Sequence, residues 1–235
     1  MLNIAHRGAK AYAPENTLVA FQKAIDMNVD GIELDVHLCK TGELIVMHDY
    51  TVDRTTNGMG FVKELSLQEI KTLFINNQFD TRLVAEMPQQ IPTLIEVFDL
   101  VNQKCLINIE LKGKAMAKPV MELIEFYINE KHWKYDQFLI SSFDWLALLD
   151  IHLSDSKIPL GVLTESDLNL AFAFAKFINA QSIHSYYHLL TKENTAKMQE
   201  EGIQVFAWTV NEPEDIQKIK SFNVNGIISD FPDRI

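Results

Sequence analysis

Apolar residues in this chain fall in short, nearly unbroken runs, separated by longer stretches in which they recur every third or fourth position. The runs are "LNIAH" (2–6), "GIELDVHL" (31–38), "ELIVMHD" (43–49), "CLINIEL" (105–111), "FLISSF" (138–143), "IPLGVL" (158–163), "QSIHSY" (181–186), "IQVFAWTV" (203–210) and "NGIISD" (225–230). Most are continuous in Val, Ile and Leu rather than alternating with polar residues, which is the pattern of strands in a parallel sheet covered on both faces. Helical patterns lie between them. Asn16 stands where it would cap "TLVAFQKAIDMN", and Ser66 with Glu69 forms a capping box for "LQEIKTLF". Further helices are expected at "TLIEVFDLVNQ" (93–103), "KPVMELIEFYINEK" (118–131), "WLALLDIHLS" (145–154), "SDLNLAFAFAKFINA" (166–180), "KENTAKMQEEG" (192–202) and "EPEDIQKIKSFN" (212–223).

Strand–helix repetition of this kind means βα units. One connection breaks the rule. Only "HLCKTG" separates the second run from the third, whereas a parallel crossover needs about a dozen residues. The third run therefore turns back antiparallel beside the sheet. Eight strands remain, each followed by a helix, and eight βα units define a (β/α)8 barrel, the TIM barrel. A doubly wound open sheet is the alternative, but it carries a Gly-rich phosphate loop after its first strand, and none is present.

The 235 residues suit one domain, and 47% hydrophobic with 23% charged residues suits a globular chain rather than a disordered one. A net charge of −11 argues against nucleic-acid binding, which needs a basic face. It leaves an anionic substrate open, because a local Arg, Lys or metal outweighs the global sign. Cys39 and Cys105 show no metal-site spacing, and two isolated thiols fit a reducing compartment. No leader pattern precedes His6, and no apolar run reaches about 18 residues. A cytoplasmic protein without stable membrane association is expected.

In a barrel of this type, chemistry occupies the carboxyl ends of the strands. The first strand ends in His6-Arg7-Gly8, where glycine lets the chain turn at the rim. Glu33 and Asp35 lie two residues apart on one face of the second strand, and Glu110 and Lys112 share a face of another. Three inward carboxylates repel one another. A hard divalent cation relieves this, since oxygen ligands suit Mg²⁺ or Ca²⁺; ion pairing to Arg7 and Lys112 without metal is the alternative. His6 and His48, from different strand ends, are either structural or an acid–base pair at neutral pH. Arg7 is able to fork onto phosphate oxygens, and Lys112 adds a point charge. Trp208 and Phe143 read as core or as site wall, with Trp208 placed to pack on a substrate's carbon chain. Asp49 either orients His48 or ends its strand. Glu15-Asn16-Thr17 reads as a helix start, "RTTNGMG" (54–60) as a loop over the pocket mouth, and His184 as a residue lining the pocket. His37, His132, His152 and His188 read as surface or packing residues.

The set "AHRG", "PENT", "ELDV", "HD", "DRTTNGMG", "IPTL", "IELK", "ISSF", "AWTVN" and "GIISDFP" resembles the glycerophosphodiester phosphodiesterase family from His6 to about Pro232. Each motif is weak alone; ten in order are specific. The resemblance implies a single (β/α)8 barrel over residues 1–235 with a small insertion at about 50–90, after the HD motif. It implies hydrolysis of a small-molecule glycerophosphodiester to sn-glycerol 3-phosphate and an alcohol. His6 and His48 would be the acid/base pair, Glu33, Asp35 and Glu110 the ligands of a divalent cation, Mg²⁺ or Ca²⁺, and Arg7 and Lys112 phosphate contacts. The nucleophile would be the glycerol 2-hydroxyl, by analogy with related phospholipase barrels, or water. "IELK" has Leu111 where the family often has Ile, and "GIISD" has Ser229 where Thr is common. Around His184, "SIHSYY" departs from the polar strand end often found there.

Three other readings compete. A lysophospholipase D or phospholipase-type phosphodiesterase needs an apolar surface near the rim. A Schiff-base aldolase on Lys112 has no use for three carboxylates. A non-catalytic phosphate-binding barrel would have lost a histidine or a carboxylate, and none is lost.

Overall fold

The structure, a computed structural model, describes residues 1–76, 89–113 and 115–235. In chain order its elements are β1 (Leu2–His6), α1 (Leu18–Asp26), β2 (Gly31–Leu38), β3 (Leu44–Val46), α2 (Leu67–Ile70), α3 (Leu94–Val101), β4 (Leu106–Leu111), α4 (Ala117–Lys131), β5 (Phe138–Ser142), α5 (Trp145–Ser154), β6 (Leu160–Thr164), α6 (Leu168–Phe177), β7 (Ser182–Tyr186), α7 (Lys192–Glu200), β8 (Gln204–Trp208), α8 (Pro213–Ser221) and β9 (Gly226–Ser229). Eight strands pair in parallel in the order β1, β2, β4, β5, β6, β7, β8, β9, and β9 returns to β1. The barrel is closed. β3 runs antiparallel on the far half of β2, with Val36 opposite Val46, as the short connection requires.

The apolar runs alternate more than they seem to. Ile32, Leu34 and Val36 of β2 and Ile107, Ile109 and Leu111 of β4 pack in the outer core, between barrel and helices. The residues between them, Glu33, Asp35, Asn108 and Glu110, project into the barrel by the two-residue strand period. Ile4, Leu139, Phe206 and Ile228 form a separate buried cluster that plugs the barrel from below. One continuous-looking run therefore serves an apolar exterior and a partly polar interior. The interior is plugged low and polar high, and this places the site at the carboxyl rim.

Helix starts are pinned locally. Thr93 with Glu96, Ser66 with Glu69 and Thr191 with Asn194 form capping boxes, while Asp144 and Asp167 cap α5 and α6. The cap of α1 differs from expectation. Thr17, in extended conformation, accepts from Ala20 N at 3.2 Å. Asn16 stands in the left-handed region at φ 56° and turns its side chain to the barrel instead. Gly8 has φ 80°, and a Cβ there would lie 2.7–2.8 Å from Ala20. Glycine is required by the close approach of α1 as well as by the turn.

Between β3 and α3, α2 and a 3₁₀ turn at Val62–Glu64 build a satellite core. Val52, Val62, Ile70 and Ile91 pack there with Cys39, Ile45 and Met47, apart from the barrel core. The part of the expected insertion at 77–88 lies outside the described residues. Cys39 and Cys105 are unpaired. Among the described residues no helix is long and apolar enough to cross a membrane.

Candidate active site

Strand register assembles the site. His6 lies opposite Glu33 across β1 and β2, and Asp35 lies opposite Glu110 across β2 and β4. Carboxylate oxygens of Glu33, Asp35 and Glu110 all come within 4.8 Å of one another. Glu33 and Asp35 are buried and Glu110 is nearly so. Burial, then repulsion from Asp35 and Glu110, pushes the Glu33 pKa well above the ordinary carboxylate value. Burial and Asp35 likewise push Glu110 up to about 7. Burial opposes ionisation of Asp35 too, but Arg7, Lys112, His48 and Asn16 outweigh it and hold its pKa down. Asp35 Oδ1 is buried without a hydrogen-bond partner. A trio of oxygen donors this close, two driven toward their neutral forms by burial and by the charge of Asp35, fits a hard divalent cation.

Cations already present brace the trio from outside. Lys112 Nζ lies 2.7 Å from Glu110 Oε1 and 3.6 Å from Asp35 Oδ1. Arg7 sits in the left-handed region at φ 54°, and its backbone N–H donates to Glu33 Oε2 at 2.9 Å. Its guanidinium donates from Nη1 to Glu15 at 2.9 Å and faces Asp35 with Nε at 3.3 Å. Asn16 Nδ2 donates to Asp35 Oδ2 at 2.9 Å. "PEN" is thus more than a helix start: Glu15 and Asn16 hold the first-strand arginine and the second-strand aspartate in place.

Both histidines are one half of a His–Asp pair. His6 Nδ1 is 2.6 Å from Asp230 Oδ1, and His48 Nδ1 is 2.7 Å from Asp49 Oδ1. Each aspartate fixes Nδ1 as the protonated nitrogen and leaves Nε2 for the cavity. The aspartates are themselves held. Asn211 Nδ2 donates to Asp230 Oδ2 at 2.9 Å. Arg54 forks onto Asp49 at 2.6 and 3.0 Å and bonds Glu15 at 2.7 Å. A chain of alternating charge, Asp35–Arg7–Glu15–Arg54–Asp49–His48, so links the carboxylate trio to the second histidine. Burial pulls the pKa values of His6 and His48 below the ordinary imidazole value, against the pull of their aspartates. Burial opposes ionisation of Asp230, yet His6 and Lys10 hold it down to about 2. Hydrogen bonds from Arg54 keep Asp49 ionised and Arg54 itself protonated.

The two histidines, Arg7, Glu33, Glu110, Lys112 and Trp208 border one cavity of about 110 Å³ at the barrel mouth. Asn108, Ser141 and His184 also line it, and Asn108 Oδ1, Ser141 Oγ and His184 Nδ1 are buried without partners. Trp208 donates its indole N–H to the His184 carbonyl at 2.9 Å and meets Phe143 edge-on at 5.6 Å. His184 lies under this cavity, stacked on Phe206 at 4.9 Å with Nε2 3.0 Å from Ser182 Oγ. His37 is buried, as a packing residue, and its Nε2 lies 3.1 Å from the His48 carbonyl.

Sequence reasoning brought eight residues to this rim, and the structure gathers all eight. It left out Asp230, read Asn16 as a cap and Glu15 as part of a helix start, and placed Arg54 only in a loop over the pocket mouth. Asp230 had a signal: it ends the last apolar run, and closure of a barrel puts the last strand beside the first.

Fold and site together define a (β/α)8-barrel enzyme whose polar residues converge on the carboxyl rim. The sequence model of the glycerophosphoryl diester phosphodiesterase family matches residues 6–234. A glycerophosphodiester phosphodiesterase of Caldanaerobacter subterraneus is 39% identical over 100% of this chain and 96% of its own length. One from Bacillus altitudinis is 37% identical over 98% of this chain and 94% of its own. Among solved structures, a phosphodiesterase of Oleispira antarctica in complex with the product sn-glycerol 3-phosphate superposes with a TM-score of 0.86 at 26% identity, covering 99% and 94% of the two chains. The chain belongs to the glycerophosphoryl diester phosphodiesterase family.

Proposed function

We propose that this barrel hydrolyses glycerophosphodiesters to sn-glycerol 3-phosphate and an alcohol, with a divalent cation at Glu33, Asp35 and Glu110 and acid–base catalysis by His6 and His48. The observation that carries the reading is the pair of His–Asp couples facing one cavity across a carboxylate trio. The cation, when bound, supplies Lewis-acid stabilisation of charge on a phosphoryl oxygen. Lys112, at the cavity wall between Glu110 and Asp35, adds positive charge to the same place, and Arg7 lines it too.

His6 takes the proton from the attacking oxygen, which is the glycerol 2-hydroxyl in a two-stage route and water in a direct one. As the new P–O bond forms, the bond from phosphorus to the alcohol oxygen breaks, and His48 gives its proton to the departing alkoxide. In the two-stage route water then opens the cyclic phosphate, His48 taking the water's proton and His6 returning one to the glycerol 2-oxygen. Placement supports these roles. His48 stands on the side of the rim where Tyr50 and His37 open a second, wider cavity, and that is where a leaving group has room. His6 is the more deeply buried of the two, with a side chain 14% exposed against 32% for His48. Asp230 and Asp49 stabilise the imidazolium form of each ring in its turn.

The test is release of sn-glycerol 3-phosphate from glycerophosphocholine, read by a coupled dehydrogenase with Mg²⁺, with Ca²⁺ and with EDTA. Metal-dependent release supports the reading. Undiminished release in EDTA would remove the cation from it, and no release under any condition, from glycerophosphocholine or from the ethyl ester of sn-glycerol 3-phosphate, would overturn the reaction itself.

A further inference from the structure

Two cavities meet at the rim and differ in size and chemistry. The narrower, about 110 Å³, holds the histidines and the carboxylates. The wider, about 670 Å³, is within the range of about 300–1,000 Å³ typical of small-molecule sites. Glu110, Lys112 and Phe143 border both. We infer that the wider cavity receives the alcohol half of the diester and selects an alcohol bearing an uncharged, apolar chain. The inference rests on the diesterase reading of the site.

Continuity places the leaving group there. A phosphodiester has two arms, and the narrow cavity closes on a floor of Ser141 and His184 beneath the histidines. With phosphorus beside Glu110 and Lys112, one arm fills the narrow cavity and the other passes Phe143 into the wide one.

The walls of the wide cavity are apolar and already shaped. Tyr50, Phe61 and Phe143 expose 61%, 46% and 43% of their surface around it. Val62, Leu111 and Met116 are buried beside them, 3% exposed or less. Tyr50 is held by its hydroxyl, which donates to the Lys112 carbonyl at 2.7 Å, and its ring meets His37 at 5.0 Å. Phe143 is held edge-on against Trp208. Three half-wet rings around one groove, two of them held in place, are the surface an alkyl chain covers.

Charge gives a cationic alcohol no advantage. Lys63 Nζ lies 5.5 Å from the Phe61 ring centroid, so that ring already faces an ammonium. Of the two carboxylates on the described lining, Glu110 is paired with Lys112, while Asp144 is exposed and caps α5. Among the described residues lining the groove, a quaternary ammonium meets two lysines, Lys63 and Lys112, beside two carboxylates, Glu110 and Asp144, and so finds no net attraction.

The test compares the ethyl, butyl and hexyl esters of sn-glycerol 3-phosphate with glycerophosphocholine, reading kcat/KM from glycerol 3-phosphate release. Full burial of a methylene is worth about four-fold, so a groove open on one side should give about two-fold per carbon and about 16-fold from ethyl to hexyl. Phe61→Asp, at a half-exposed position outside either core, should reduce the hexyl-to-ethyl ratio to below about 4. Three results would overturn the inference while the ethyl ester is still cleaved: a flat series, a choline ester cleaved faster than the hexyl ester, or an unchanged ratio in Phe61→Asp. Failure to cleave even the ethyl ester would instead overturn the diesterase reading, and the inference with it.

Discussion

Acid should destabilise this barrel through one residue in particular. His184 is fully buried, and burial drives its pKa down to about 3 from the ordinary 6.5. Its ring lies under the active-site cavity against Phe206 and Ser182, with no carboxylate hydrogen-bonded to it. The space is tight: a Cβ at Gly161 would fall 2.6 Å from His184 Nε2, so only glycine admits the ring. The folded state therefore holds His184 neutral at a pH where the unfolded chain protonates it. Because the folded pKa is the lower one, the contribution to stability is complete above pH 6.5. It declines as the pH falls from 6.5 toward 3. At pH 4.5 the unfolded histidine is almost fully protonated and the folded one almost fully neutral. The loss there is about 2 units times ~1.36, or ~2.7 kcal/mol relative to pH 8. The assay is urea unfolding at pH 8 and pH 4.5 for wild type and for His184→Gln, followed by tryptophan fluorescence and circular dichroism. Other titrating groups act on both proteins, so the difference of differences isolates His184, and it should be about 2.7 kcal/mol in the direction of greater acid loss for wild type. Equal losses in the two proteins would refute the argument, since they would mean that water or a rearranged partner solvates the imidazolium in place.

Three further outcomes follow from the site. His6→Ala and His48→Ala should each lower kcat by about 10²-fold or more, the usual scale for an acid or base, in steady-state assays of glycerol 3-phosphate release; near-normal turnover in either would remove it from the mechanism. Asp230→Asn keeps the shape but removes the charge that holds the His6 tautomer, so kcat should fall about 10²-fold or more with little change in KM. Because Asp230 raises the His6 pKa against burial, the acid limb of kcat/KM should also move to lower pH in that variant, and a limb that stays put would argue against His6 as the base. Glu33→Gln removes the charge of one proposed ligand and much of the repulsion in the trio. Titration calorimetry with Mg²⁺ or Ca²⁺ should show affinity weakened about 10-fold or more, whereas an unchanged affinity would place the ion elsewhere.

How much of this was legible in the chain depends on how far each feature reaches. The strands and helices were legible because their signals are local: runs of Val, Ile and Leu, a capping box at Ser66–Glu69, a six-residue link too short for a crossover. Pairs such as Glu33 with Asp35 were legible because a two-residue spacing puts side chains on one face of any strand. Asn16 was misread for the same reason. Its sequence neighbourhood is a helix start, and nothing local says that Thr17 takes the cap while Asn16 bonds Asp35.

The sequence by itself determined the number and direction of the strands, the choice of a barrel, and the eight residues at its rim. Tertiary structure alone decided the rest. Barrel closure brought Asp230, just past the last strand, to His6 of the first, across 224 positions. Strand register set Asp35 against Glu110 and so made three carboxylates into one cluster. The α1 start and the loop after β3 met to build Glu15–Arg54–Asp49 behind His48. Each of these is a pairing between groups distant in sequence, and charge, hydrogen bonding and burial act over a few ångströms of space regardless of how much chain lies between.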